Sequence, residues 1–293
     1  MNMIFLNDSA KVAIEKLINS SHERPMDCNS VLPWQNGVDR TKPPKKPEQS
    51  WIFGTSYYDA LSDEQRQELL WQEISRDISM FITLEQTLPP LYVGYINKFG
   101  EDISKDVYEY LMIFSKEEIV HTLMFRRFLK AADLNLFNPP DGLHELLTHQ
   151  LPTMRPEAGM ACTLIIEWVA ELGAMYCTQG DEIEPLTRKM FYEHHIDESR
   201  HIAFGRWVTE SYLDKAPAEE ANAFRGLLRG LMARLVPQFT YNPEIVDHLP
   251  FSFPIARTDE AKIAEVRNSA ANVALNEKRF APLNNWLKKV QVL

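Results

Sequence analysis

Two Glu-x-x-His motifs, Glu118 to His121 and Glu198 to His201, stand 80 residues apart in a chain of 293 residues. A spacing of three places carboxylate and imidazole one turn apart on the same face of a helix. A lone glutamate on each of two other helix-patterned segments, Glu85 and Glu167, completes a set: four carboxylates and two imidazoles. This is the ligand inventory of a carboxylate-bridged two-metal centre built inside a four-helix bundle. A buried carboxylate without a counter-charge is costly enough to be protonated or excluded, so four on converging faces require cations. Two divalent ions balance the four negative charges, and neutral imidazoles complete the coordination. Glu118 and Glu198 are placed to bridge the two ions, with each motif histidine bound terminally.

Three further positions bear on the same centre. His194 precedes Glu198 by one helical turn and shares its inward face, and we read it as a third imidazole ligand; His195 is rotated by about 100° and is expected to be structural. Glu117 and Asp197 immediately precede the motif glutamates, placing Asp197 near His121 and Glu117 near His201, where each would orient the opposite helix's imidazole. Glu171 is the rival to Glu167 on the third helix, and Glu167 is preferred because its placement mirrors that of Glu85. The remaining histidines, His22, His144, His149 and His248, fall in loops or at element ends and read as surface residues.

The elements that must carry these residues follow from periodicity and punctuation. A short helix is expected over about residues 9–18, then an irregular strap over about 20–55 marked by Pro25, Pro33, Pro43, Pro44 and Pro47. The first long helix spans about 62–87, with Ser62 and Gln65 as a capping box and Pro89-Pro90 ending or kinking it. The second spans about 104–132, the third begins near Pro156 and stops before Gly180, and the fourth runs from about 185 to 215. Between the second and third lies a long connection whose turn signal is Pro139-Pro140-Asp141-Gly142. Accessory helices are expected around 218–236, 258–279 and 283–290. Helices of 25 to 30 residues are about 40 Å long and can bury a centre at mid-height. Glu85, near the end of its helix, is the exception. The order Glu, Glu-x-x-His repeats once, so two helical hairpins joined by a crossover give an all-α, ferritin-like bundle, read as one domain over 1–293 with its core at about 62–215.

The composition agrees with this. A net charge of −10 argues against a nucleic-acid or anionic-membrane surface as principal partner. Three cysteines, Cys28, Cys162 and Cys177, have no paired spacing, which points to buried thiols and a cytoplasmic setting. The N-terminal stretch Met1 to Lys11 lacks a signal-peptide pattern, and the apolar run from Leu164 to Tyr176 is interrupted by Glu167 and Glu171, so no membrane span is expected.

With these residues in hand, the chain resembles the AurF family of p-aminobenzoate N-oxygenase-like di-iron oxygenases. The resemblance rests on Glu85, Glu118-Ile-Val-His121, Glu167 and His194-His-Ile-Asp-Glu198-Ser-Arg-His201, together with Trp51-Ile-Phe-Gly-Thr-Ser-Tyr-Tyr and Leu61-Ser-Asp-Glu-Gln-Arg ahead of the first core helix. It covers about residues 51–210; the C-terminal third has no motif to match. The resemblance implies two iron ions, with manganese tolerated by the same donors, and O₂ as co-substrate. It also implies oxygen insertion at the nitrogen of a small amine, usually an arylamine, and a possible homodimer. No dinucleotide fingerprint or iron–sulfur cysteine set is present, so electrons would come from an external donor such as a partner reductase, or from the substrate. Pocket walls are expected one turn from the ligands, at Phe81, Leu164, Phe125, Phe191 and Phe204, positions that core packing alone would also fill. Arg279, entering from the C-terminal helices, is a candidate to bind a substrate carboxylate. The competing readings are a di-metal hydroxylase or oxidase acting at carbon, a ferroxidase or iron-binding protein, and a metal-free helical scaffold.

Overall fold

The computed structural model describes residues 6–139 and 142–293, all of them helix or connection with no strand. The Pro139-Pro140-Asp141-Gly142 turn lies partly outside the described residues, as do the first five of the N-terminal stretch. The elements are α1 (Asp8–Glu23), α2 (Asp63–Glu85), α3 (Leu88–Phe99), α4 (Lys105–Ala131), α5 (Pro156–Ala174), α6 (Pro185–Lys215), α7 (Ala218–Leu235), α8 (Glu260–Arg267) and α9 (Ala270–Lys289). The bundle is α2, α4, α5 and α6: α2 packs on α4, α5 packs along α6, and α2–α5 and α4–α6 contacts close the ring.

Capping fixes where these helices begin. Ser62 accepts from the backbone of Gln65 while Gln65 returns a bond to the Ser62 backbone, forming the capping box. Ser104 caps α4 through Val107, and Glu184 caps α6 through Thr187. The strap between α1 and α2 is held to the bundle by ion pairs. Lys45 lies 3.0 Å from Glu73 and Arg40 lies 2.6 Å from Glu68. Glu73 also accepts from Ser50 Oγ and the Trp51 backbone.

α5 is the most apolar helix of the bundle. Its extent Pro156–Thr178, counting the short 3₁₀ turn after it, is the one among the described residues long and apolar enough to cross a membrane. The reason is its position: α5 packs against α6 and also against α7 and α9, and nearly all of it is buried. Trp168 of α5 meets Trp286 of α9 at 5.6 Å between ring centroids. Close approach to α6 is permitted by Gly205, where a Cβ would stand 2.8 Å from the Cβ of Leu164.

Three boundaries differ from expectation. Pro89-Pro90 do not merely bend the first helix; they sit in the first turn of a new helix, α3, where the missing N–H groups have no intrahelical acceptor to lose. Between the second and third helices, within the expected long connection, residues 143–153 form a run of short helical turns for which no element was expected. At the C-terminus the break falls earlier than residue 279, at Asn268–Ser269, where Ser269 caps the new helix through Asn272. Pro282 lies inside α9 and does not end it. An interior proline costs about 3 kcal/mol, and burial of Phe280, Leu283, Trp286 and Leu287 on both sides of it offsets that cost.

Candidate metal centre

Glu85 ends α2, Glu118 and His121 sit mid-way along α4, Glu167 lies on α5, and His194, Glu198 and His201 lie on α6. All seven side chains are buried. Donor atoms of Glu85, His121, His194 and Glu198 lie within 4.8 Å of one another, and so do those of Glu118, Glu198 and His201. Glu198 belongs to both groups. Its Oε1 is 3.4 Å from His121 Nδ1, 3.4 Å from His194 Nε2 and 3.3 Å from His201 Nδ1. Glu118 Oε1 spans the same gap, 3.7 Å from His121 Nδ1 and 2.9 Å from His201 Nδ1.

The imidazoles are oriented from behind. Asp197 Oδ2 is 3.1 Å from His121 Nε2, and Glu117 Oε2 is 2.9 Å from His201 Nε2, so both motif histidines turn Nδ1 inward. His194 is oriented the other way: its Nε2 faces Glu85 Oε1 at 2.9 Å, and Glu171 Oε2 stands 3.2 Å from its Nδ1. Glu171 Oε1 is simultaneously 2.6 Å from His195 Nδ1. The two candidates on α5 are thus distinguished by their partners. Glu171 Oε1 is held by His195, while its Oε2 near His194, like Glu167 Oε1, has no aligned hydrogen-bond partner.

One residue not anticipated from the sequence ties the outer ring together. Arg200, buried on α6, donates to Glu117 Oε1 at 3.0 Å and to Asp197 Oδ1 at 2.5 Å, while its Nε donates to Ser21 Oγ of α1 at 2.9 Å. The signal was present as an arginine three residues after Asp197, on the face that meets Glu117. Helix periodicity alone reads a charged residue there as solvated.

The electrostatics show a donor set short of positive charge. Burial, followed by repulsion from Glu198, raises Glu118, and the same causes hold Glu167 well above the ordinary carboxylate range. Burial lifts Glu85 to about 8 against the opposing pull of His194. Burial by itself would lower His194, but Glu198, then Glu171 and Glu85, outweigh it and raise the imidazole to about 10. For Glu198 the burial effect is overcome by His201 and His194, which hold it well below its usual value. Protons here do the work of cations. Glu85 Oε2, both Glu118 oxygens, Glu167 Oε1 and His121 Nδ1 have no aligned hydrogen-bond partner; the 2.9 Å approach of His201 Nδ1 to Glu118 lacks hydrogen-bond alignment. Leaving a buried polar atom unpaired costs about 1–3 kcal/mol, more when charged, so this hard-oxygen and imidazole donor set fits a pair of divalent ions.

Aromatic rings wall the centre. Phe81 and Phe125 approach His194 edge-on at 5.0 and 4.9 Å, and Phe114 stacks on His201 at 3.6 Å. Beyond Phe81 and Phe191 is a narrow cavity of about 20 Å³, also lined by Lys45, Cys177, Phe239 and Arg279. Of the other expected wall residues, Leu164 packs against Gly205 and Phe204 against Tyr110. Arg279 is buried over the Trp51 ring at 4.4 Å, its Nε without a hydrogen-bond partner. His22, His144 and His149 are exposed, and His248 is half-buried against Phe137.

Fold and site together define a ferritin-like helical protein with a buried Glu/His cluster suited to two metal ions. The same fold is found in R2-like ligand-binding oxidases. One with an aerobically reconstituted Mn/Fe cofactor superposes with a TM-score of 0.56 at 15% identity, covering 96% of this chain and 92% of that one. A variant with an aerobically reconstituted Fe/Fe cofactor gives 0.54 at 17% identity, with coverage of 96% and 92%. No curated protein sequence matches the chain. The sequence matches the family described as P-aminobenzoate N-oxygenase AurF over residues 7–288, and the chain belongs to that family of di-metal oxygenases and oxidases.

Proposed function

We propose that this protein is an O₂-dependent di-iron oxygenase that oxygenates a small amine, an arylamine in the first instance, at nitrogen. Family membership supports the reaction class. The observation that carries the reading is the three-imidazole cluster: His194 stands within 3.4 Å of both Glu85 and Glu198, with Glu171 behind it. In this reading Glu85, Glu118, His121, Glu167, His194, Glu198 and His201 would hold the two ions, with Glu198 shared by both donor groups. Iron is the expected metal, and manganese is the alternative that the Mn/Fe pair of the R2-like oxidases illustrates.

When bound, two ferrous ions supply two electrons to O₂. Conversion of an amine to a hydroxylamine consumes O₂, two electrons and two protons, and releases one water, so an external donor or reductase must restore the electrons after each turnover. The chain's own residues do the rest. Asp197, Glu117 and Glu171 fix the imidazole orientations, and Arg200 neutralises the first two. Phe81, Phe125 and Phe114 exclude bulk water around the imidazoles. Arg279, one of the residues lining the cavity, would receive a substrate carboxylate in this reading. That cavity, about 20 Å³, has room for a single water. An aromatic substrate therefore enters only if Phe81, Phe191 or Phe239 turns aside.

The test is reduction of the iron-loaded protein, exposure to ¹⁸O₂ with p-aminobenzoate or aniline, and mass analysis of the products. Label on nitrogen supports the reading. Labelled ring hydroxyl with no N-oxygenated product would transfer the assignment to carbon hydroxylation, and iron uptake into a mineral without any organic product would transfer it to ferroxidase chemistry.

A further inference from the structure

The donor cluster is wholly buried, so electrons supplied from outside must cross the shell of residues behind its three imidazoles. The three ways in are not equivalent. His194 is backed by Glu171, but Glu171 Oε2 and His194 Nδ1, 3.2 Å apart, are not aligned as a hydrogen bond, and the link outward to His195 is interrupted there. His201 is backed by Glu117, which is 1% exposed and whose other oxygen is held by Arg200, itself bound to Ser21 of α1. His121 combines an aligned bond with an opening. Its Nε2 is joined to Asp197 Oδ2 at 3.1 Å, and Asp197 lines a surface notch of about 230 Å³. Arg24, Met26 and Val31 of the strap and Lys189 and Glu193 of α6 complete the notch. One hydrogen bond and one imidazole ring therefore separate its floor from Glu198, which stands 3.4 Å from His121 Nδ1.

The notch has a charged rim. Of the four charged groups lining it, both acids are buried: Asp197 accepts from Arg200, and Glu193 lies 2.5 Å from Lys189 and 3.3 Å from Arg24. Both cations reach solvent, the Arg24 side chain 57% exposed and that of Lys189 42%. A third cation, Arg127, borders the same loop, over the Trp34 ring at 4.2 Å and bonded to the neutral Asn29. The exposed acids nearest along the chain are Glu23 and Asp27, and Asp27 is turned into its own turn, accepting from the Asn29 backbone. On a chain of net charge −10, such a rim steers a partner of opposite sign. The notch is also smaller than the roughly 300 Å³ at which small-molecule and cofactor sites begin. It suits a protruding side chain of a protein better than a free dinucleotide.

We propose that this notch docks an acidic one-electron carrier protein of the iron–sulfur class, and that Asp197 and His121 form the electron route from it to the metal pair. Two carriers in succession each give up one electron and are oxidised, and the two ferric ions become ferrous; no covalent bond forms or breaks. The inference rests on the reading of the centre as an oxygenase fed from outside.

The iron-loaded, oxidised full chain is mixed anaerobically with either of two donors, and bleaching of its ferric absorbance is followed. One donor is a reduced acidic [2Fe–2S] ferredoxin; the other is reduced methyl viologen, a cation that the rim does not attract. Arg24→Gln and Lys189→Gln, each leaving Glu193 its other partner, are expected to slow reduction by ferredoxin by about fivefold, and more steeply at low salt, with the viologen rate and metal content unchanged. Lys288→Gln, an exposed position on α9, should alter neither rate. Binding is located independently of electron flow by amide exchange: oxidised ferredoxin should slow exchange across residues 24–31. Reduction by ferredoxin that is indifferent to both rim substitutions would overturn the proposal. So would protection that spares residues 24–31, or a centre that viologen reduces and ferredoxin does not. A loaded chain that accepts electrons from neither donor would remove the oxygenase reading itself, and the route with it.

Discussion

The two hairpins of the bundle present the same motif and build different halves of the site. One turn before Glu198 stands His194; one turn before Glu118 stands Phe114. The imidazole reaches the cluster around Glu85, whereas the phenyl ring stacks on His201 at 3.6 Å. The repeated position therefore supplies a nitrogen donor on one side and an apolar lid on the other. Arg200 is similarly one-sided, because its counterpart after Glu118 is Val120, yet it serves the outer carboxylates of both halves. Internal repetition in the sequence thus specifies the shape of the centre, and substitutions at single repeat positions make its two sides chemically unequal.

That inequality can be broken in several ways. The largest effect is expected at the residue common to both clusters: Glu198→Ala should reduce bound metal from two equivalents to less than one, as read by elemental analysis after reconstitution. Retention of both ions would remove Glu198 from the centre. Arg200→Gln leaves Glu117 and Asp197 buried without their cation, and breaking a buried pair in this way costs about 3–5 kcal/mol. Denaturant unfolding should register that loss, and a change under 1 kcal/mol would mean the guanidinium is dispensable.

A narrower effect tests the asymmetry itself. His194→Phe makes the second hairpin resemble the first; it should weaken one ion by on the order of 100-fold, at the upper end of what loss of an orienting partner alone produces, and leave the other bound. Mössbauer spectra of the iron-loaded variant should then lose one of two unequal sites, and unchanged spectra would exclude His194 as a ligand.

The smallest effect is one of pH. Glu85 and His194, raised to about 8 and about 10, both hold protons at pH 7 before metal arrives. Metal must displace those protons, so affinity rises with pH up to about 10 and falls as the solution is acidified. Calorimetric titration at pH 7 in two buffers of different ionisation enthalpy should show net proton release; identical heats would contradict it.

Much of this architecture was legible in the sequence because helix signals and buried ligands reinforce one another. Ser62-Asp-Glu-Gln65 marks a start by hydrogen bonding within four residues, and an inward Glu at the end of an apolar stripe stands out by its cost. Where reading failed, the local signal and its tertiary outcome differ. Pro89-Pro90 is a terminator when the helix is followed forward and an initiator when the next helix is followed backward, and only the chain reversal into α3 selects the second. Pro282 reads as a break, but the packing of α9 on α5 overrides it. Arg200 is not legible in the sequence because, apart from Asp197 on its own helix, its side-chain partners lie on α4 and α1, and no spacing rule within α6 points to Glu117 or Ser21.

Gly205 carries one more consequence. It lies one turn beyond His201, and the Leu164 side chain that it admits lies three residues before Glu167. Helix spacing is therefore gauged beside the donors themselves. Gly205→Ala, with every ligand intact, should wedge α5 and α6 apart and lengthen the mean metal–oxygen distance in X-ray absorption; a methyl group with no chemistry of its own would retune the reactive pair.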